Sequence, residues 1–260
     1  MEELEIPPTH PRYQSLLIRE RIVKGFREGI VVPQGLIAHG RGEAFDYLLG
    51  ERTHEFARKA VEATVAWLLL ADKPVISVNG NMAALAAEEL AELSLLTGAP
   101  IEVNLFYRTE YRIRAIYDLL RSKGAKRVLG PDCVTKRLPG LDSPRGIVCE
   151  EGIYSADFVL VGIEDGDRTE ALKKAGKKVA AIDLNPFSRT AQTADITIVD
   201  EATRALRLAV ALARELRDLP RERLEAIVRG YDNRDILRQA FKAMLQRLSE
   251  AASKGVIIEL

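Results

Sequence analysis

The sequence predicts an α/β fold: a Rossmann-like parallel sheet with helices on both faces and helical additions at the N- and C-terminal ends. Three observations carry that expectation. Short runs of strand length, at 74–78, 101–105, 157–163, 178–182 and 195–199, alternate with longer segments of helical period. The runs are mostly apolar rather than alternating, as are strands buried on both faces of a parallel sheet. Finally, 47% of the 260 residues are hydrophobic and no repeat, low-complexity tract or flexible linker interrupts them, so one domain over 1–260 is expected.

In chain order, residues 11–28 form an amphipathic helix. Leu16, Leu17, Ile22, Val23 and Phe26 recur at near-helical spacing, and Gly29 is the stop. Residues 35–42, GLIAHGRG, read as a glycine-dense turn leading into a short helix over 43–49. Thr53 is placed to cap a longer helix ending near residue 71. Strand 74–78 runs into Asn79-Gly80-Asn81 and a helix over 83–96; strand 101–105 precedes a helix over 108–123 and a short strand at 127–129. The proline- and glycine-bearing stretch 131–152 reads as irregular. Strand 157–163 precedes a helix over 167–175, strands 178–182 and 195–199 follow, and a strong helix covers 201–217. The tail, 221–253, is two helices broken near 230–233.

Composition excludes several function classes. Lys+Arg and Asp+Glu both number 38, so bulk electrostatics draws the chain to neither nucleic acid nor anionic membrane. The longest apolar stretch, 65–71, is far shorter than the about 20 residues that span a bilayer. Residues 1–13 are polar and proline-rich rather than a secretory leader, so a soluble, cytoplasmic protein is expected. Cys133 and Cys149 have neither CxxC spacing nor a histidine nearby, which argues against zinc and predicts two free thiols in a reducing compartment, with a loop disulfide as the minor alternative. Charged residues reach 29% against five Asn and five Gln, a balance common in thermophiles.

Ligands of open parallel sheets bind at the carboxyl ends of the strands. Four of the five asparagines, Asn79, Asn81, Asn104 and Asn185, fall at those ends, and turn chemistry accounts for only part of that concentration. Arg108, Arg168 and Arg189 stand near predicted helix starts, where free N–H groups and a guanidinium fork together suit phosphate. Arg41, between two glycines, is similarly placed. No P-loop sequence occurs, and no G-x-G-x-x-G follows a first strand, so neither a P-loop enzyme nor a standard nicotinamide site is expected. Ser77, Ser188 and Cys133 lack the partners of an activated nucleophile. These residues alone point to an α/β domain that binds phosphorylated small molecules. They leave open an atypical nicotinamide oxidoreductase, a non-catalytic ATP-binding regulator and a kinase.

Longer strings narrow the choice. HPRYQSLLIRE (10–20), GLIAHGRGEAFDYLLGE (35–51), PVISVNGN (74–81), EVNLFYRT (102–109), EDGDRTEAL (164–172) and DLNPFSRTAQTADITIVD (183–200) together resemble the archaeal phosphopantothenate synthetase family over residues 6–250. The resemblance implies a Rossmann-like homodimer of coenzyme A biosynthesis. It would join 4-phosphopantoate to β-alanine through an acyl-adenylate, using ATP and Mg²⁺ and releasing AMP and diphosphate. It also implies ATP contacts at Arg19, Arg41, Asp183, Leu184, Asn185, Ser188, Arg189, Ile198 and Val199. Two anions meet in the first step, so Arg19, Arg41 and Arg189 are expected at the triphosphate and the developing charge. Asp183 and Asn185 are expected at the nucleoside, and Asn79, Asn81, Asn104 and Arg108 at phosphopantoate. His39 is expected to touch phosphate or assist loss of the amine proton, with a purely structural hydrogen bond as the alternative. Glu43, Asp165 and Asp167 are candidates for the amine proton or Mg²⁺, or else ordinary helix-start carboxylates. The homodimer rests mainly on the resemblance: the extra apolar positions around Trp67 read by default as burial within the subunit itself.

Overall fold

A computed structural model describes residues 6–255. Residues 1–5, part of the stretch on which the absence of a leader was read, lie outside the described residues. The chain opens with helices α1 (Tyr13–Arg27), α2 (Pro33–Leu49) and α3 (Glu55–Leu70). Strand β1 (Pro74–Val78), helix α4 (Gly80–Thr97), strand β2 (Ile101–Val103), helix α5 (Glu110–Ser122) and strand β3 (Val128–Leu129) build one half of the sheet. An insert follows, with strands β4 (Thr135–Arg137) and β5 (Ile147–Cys149). The other half comprises β6 (Phe158–Gly162), α6 (Gly166–Lys174), β7 (Lys178–Ile182), α7 (Arg189–Thr193) and β8 (Ile196–Ile198). Helices α8 (Ala202–Leu216), α9 (Arg221–Arg229) and α10 (Asn233–Lys254) close the chain.

The main sheet has the order β3-β2-β1-β6-β7-β8, with every pairing parallel. This is the doubly wound Rossmann order, whose direction of winding reverses between β1 and β6. Side chains alternate across the pleat. Ile76, Phe158, Leu160, Ala180, Ile182 and Ile196 enter a core shared with α3, α4, α5 and α8. Val75, Val159, Val161, Val179 and Ala181 face the other way, onto Leu172 of α6, Ala194 and the insert residues Leu138, Val148 and Ile153. Trp67 stacks on Phe158 with ring centroids 5.6 Å apart and is half-buried. Among the described residues no helix is long and apolar enough to cross a membrane.

Several local expectations are corrected. The glycine-dense turn at 35–42 is instead the body of one continuous helix, α2, which opens on Pro33. Glycine at 35 serves close packing: a Cβ there would overlap the Asn81 amide and come within 2.9 Å of Val31. Thr53 does not cap α3; His54 holds that position without a side-chain cap, and the Thr53 hydroxyl donates to Asp200. The stretch 131–152 contains the antiparallel β4–β5 hairpin, which its exposed Thr135-Lys136-Arg137 run conceals from any hydrophobic pattern. Finally, Cys133 and Cys149 are not free thiols. They form a disulfide across Cα atoms 5.6 Å apart, because the hairpin returns the chain to its own base.

Candidate functional site

Two open cavities lie at the carboxyl ends of the strands, on either side of the winding reversal. Ile163 and Asp165, just after β6, and Ala38 and Arg41, on α2, line both. Helix α2 is therefore the partition between them, and Arg41 stands where they meet. Arg41 is exposed and forms no ion pair with the described residues. Ile163 holds a left-handed backbone (φ 51°) although it is β-branched, a costly conformation for such a residue. Asn79 secures it: its Nδ2 donates to the carbonyls of Gly162 (2.8 Å) and Ile163 (3.3 Å), while its Oδ1 caps α4 through the Met82 amide.

The first cavity, about 1040 Å³ measured to its open mouth, is walled by α1, α2 and the segments after β6, β7 and β8. Ile18, Phe45, Leu85, Ile182 and Leu184 give it an apolar side. Its carboxylates are mostly neutralised in place. Glu43 accepts from Arg19 (2.8 and 3.0 Å) and Arg12 (2.8 Å); burial alone would raise its carboxyl, but these guanidiniums outweigh it and hold it below the usual range. Arg204 bridges Asp46 (2.6 Å) and Asp200 (2.8 Å), and Glu201 caps α8. Asp183 accepts from the Asn185 amide (2.9 Å) and from Ser188 Oγ–H, which itself caps α7. Burial nevertheless raises the Asp183 carboxyl, with these bonds and Arg41 only partly offsetting it. His39 lines this cavity from within α2. Burial lowers its imidazole below the ordinary value against the opposing pull of Glu201 and Glu43, and the ring makes no hydrogen bond to the described residues.

Of the residues expected here, Arg41, His39, Asp183, Leu184, Asn185 and Ser188 line the cavity. The others do not. Arg19 stands behind Glu43 as its partner. Arg189 lies outside, largely exposed and paired with Glu170 at 2.7 Å. Ile198 and Val199 are buried in the core, and the Ile198 carbonyl is occupied by the Asp183 amide.

The second cavity, about 970 Å³ on the same measure, is lined by α2, the Asn79-Gly80-Asn81 turn, residues 105–107, Arg112 of α5 and Arg145 of the insert. Asn79 and Asn81 are on its wall as expected, though Asn81 Nδ2 is spent on the Gly35 carbonyl at 2.8 Å. Asn104 is not on that wall. It is fully buried, and its Nδ2 donates to the carbonyls of Arg145 (3.2 Å) and Ile147 (3.1 Å), tying the insert to β2. Arg108 opens instead onto a separate depression with Thr109, Arg114 and Asp132. Arg168 is not on that wall either: with 0% exposure it pairs with Glu164 and donates to Ser77 at 3.1 Å. Glu164 in turn receives Arg145, so a buried Arg168–Glu164–Arg145 chain fixes the insert beside the cavity.

Arg112 and Arg145 are the functional candidates that sequence reasoning missed. Arg112 looks like one more cation on the polar face of an amphipathic helix, and Arg145 sits in a stretch with no period to read. Among the described residues no cluster of His, Cys, Asp or Glu forms a ready metal site. Among the described residues Asp165 is the carboxylate of this region least consumed by partners, with one ion-pair contact, to Arg145 Nε at 3.5 Å, and it is half-exposed at the junction.

A sequence profile described as phosphopantothenate/pantothenate synthetase matches residues 56–247. The chain is 53% identical to a 4-phosphopantoate–β-alanine ligase of Thermococcus kodakarensis over 97% of each chain. It is 51% identical to the ligase of the same name from Thermococcus onnurineus, again over 97% of each. A third, from Methanosarcina mazei, is 49% identical over 96% of this chain and 98% of its own. Similarity of this depth over nearly every residue, on a sheet wound in the Rossmann order, is decisive: the chain belongs to the phosphopantothenate/pantothenate synthetase family.

Proposed function

We propose that this protein is a 4-phosphopantoate–β-alanine ligase of coenzyme A biosynthesis that activates its acid as an acyl-adenylate. The observation that carries the reading is the pair of cavities meeting at Arg41, a guanidinium with no carboxylate partner among the described residues. Adenylation must bring a carboxylate against the α-phosphate of ATP, and a cation between two binding sites is what that encounter needs.

The nucleoside belongs in the first cavity. Its apolar side accepts a purine, and the Asp183–Ser188 turn and the carboxylates beyond suit ribose hydroxyls and an amino group rather than phosphate. The phosphates therefore point towards Arg41. 4-Phosphopantoate occupies the second cavity against Asn79 and Asn81. Its carboxylate oxygen attacks the α-phosphorus, the bond to the β-phosphate bridging oxygen breaks, and diphosphate leaves. The β-alanine nitrogen then attacks the acyl carbon, the C–O bond to AMP breaks, and the amine loses a proton. His39, held neutral by burial near the first cavity's wall, is the base proposed for that proton. Arg19 acts through Glu43, as a positioning residue. Arg189 on the rim reaches ligand only by releasing Glu170. Mg²⁺ usually binds through one or two carboxylates plus substrate phosphates, so Asp165 is the protein group that fits it, and the ion would neutralise the triphosphate. A cytoplasmic homodimer is inferred from the family resemblance.

The test is an omission assay with ATP, Mg²⁺, 4-phosphopantoate and β-alanine, resolving nucleotides and acyl products. AMP and phosphopantothenate arising only in the complete mixture support the reading. ADP in place of AMP sinks the adenylate, and no turnover with the fold intact sinks the ligase. Light scattering on the same sample tests the dimer.

A further inference from the structure

The wall of the second cavity holds a feature that the adenylation step does not use. Arg112 reaches it from α5, donating through Nη2 to the Ile30 carbonyl (2.7 Å) and through Nη1 to the Tyr107 carbonyl. No carboxylate among the described residues pairs with it. Arg145 reaches the same cavity from the insert and is 8% exposed. It is anchored by Glu164, and Asp165 lies 3.5 Å from its Nε. The Nε–H groups of both arginines are buried without a hydrogen-bond acceptor. Both Nε atoms are closed off from the cavity, so a ligand there would be met by the Nη groups.

Charge points the same way. Arg168 and Arg145 share Glu164, and Asp165 balances the remaining cation of that chain, so Arg112 is left as excess positive charge in this wall. Burial, and then the like charge of Arg145, press the Arg112 guanidinium below its ordinary value, so an anion would relieve both. Gly80 makes room for it: a Cβ there would come within 2.9 Å of Arg112 Nη2 and would overlap the Ile30 carbonyl.

We propose that Arg112, with Arg145 beside it, receives the phosphate of the acid substrate, making this end of the second cavity the device that selects a phosphorylated acid over its free alcohol. The assignment deepens the ligase reading and rests on it for the identity of the ligand. Carboxylate and phosphate are separated by three carbon–carbon bonds and an ester oxygen, and Arg41 and Arg112 line the same cavity. Arg108, in its separate depression, is replaced in this role.

The experiment compares amide formation from 4-phosphopantoate and from pantoate by wild type, Arg112→Gln, Arg112→Lys and Arg108→Gln. Titration calorimetry with 4-phosphopantoate alone runs alongside. Arg112→Gln is expected to lose about a hundredfold in kcat/KM for the phosphorylated acid and little for pantoate, with partial rescue by lysine. Because Arg112 also braces two carbonyls, Gln34→Glu provides a variant on the exposed start of α2 that puts a carboxylate into the same cavity; it should raise KM for 4-phosphopantoate roughly tenfold, and much less for pantoate. Equal loss for both acids in Arg112→Gln, collapse of the preference in Arg108→Gln instead, or a preference untouched by Gln34→Glu and Arg112→Lys together would overturn the assignment. Wild-type calorimetric binding that Arg112→Gln abolishes, without any amide product, would instead preserve the phosphate site and refute the ligase.

Discussion

Glu102 offers a sharp test of how the insert is held. It lies in β2 at 1% exposure, and its two carboxylate oxygens accept from the amides of Cys149 (3.0 Å) and Ile153 (2.7 Å), at the base of the hairpin that carries Arg145. Burial pushes its carboxyl up to about 7, against the two amide bonds and the charges of Arg168 and Arg108, which pull it down. The folded value thus lies above the unfolded one of 4.5. The stabilising contribution is then fully present below pH 4.5 and is lost as pH rises to about 7. That interval corresponds to about 3 kcal/mol. Glu102→Gln removes the titration but turns an NH₂ towards one of the two amides, at a cost of about 1–3 kcal/mol. The two stability curves should therefore converge or cross: the variant is clearly weaker at pH 5, and its deficit shrinks or reverses by pH 8. Guanidinium denaturation of both proteins, disulfide intact, at half-unit steps between these values measures the difference directly. A difference independent of pH would refute the reasoning. A deficit that grows towards pH 8 would show that the two amides outweigh burial and hold the carboxyl ionised.

Three further outcomes follow from the same geometry. Reducing Cys133–Cys149, which spans 16 residues, should cost about 3 kcal/mol in a denaturant titration; no change would mean that Glu102, Asn104 and Arg145 hold the hairpin without it. Arg41→Ala should lower kcat about 10²–10³-fold, whereas an effect confined to KM would make Arg41 a ground-state binder only. His39 is held below its ordinary value by burial, so it charges only as pH falls beneath the usual histidine range. The kcat/KM profile should accordingly drop on that acid side, and His39→Gln should lack the drop; an unaltered profile would remove His39 from proton transfer.

Strands β1 and β7 were legible to the residue, and β6 to within one at either end, because strands buried on both faces read as mostly apolar runs. The same logic failed where burial is one-sided or local cues mislead. Glycines at 35, 40 and 42 punctuate the sequence like a turn, yet tertiary contacts hold α2 as a helix through all three. The hairpin escaped notice because β4 is wholly exposed and carries no hydrophobic period. The strand-end rule placed Asn79, Asn81, Asp183 and Asn185 on the cavity walls, and it misplaced Asn104 and Arg168, whose side chains turn into the protein.

By itself, then, the sequence determined the alternation of strands and helices, the Rossmann-like class and the family resemblance. Each is written in local period or contiguous strings. Only the tertiary structure decided which polar residues are free to meet a ligand. That depends on partners far apart in the chain: Arg145 held at Glu164, Asn104 at Ile147, Cys133 at Cys149, and Arg112 at Ile30 with no carboxylate opposite it among the described residues. A charged side chain reads the same in sequence whether it is neutralised or not, and its chemistry is set by what the fold brings beside it.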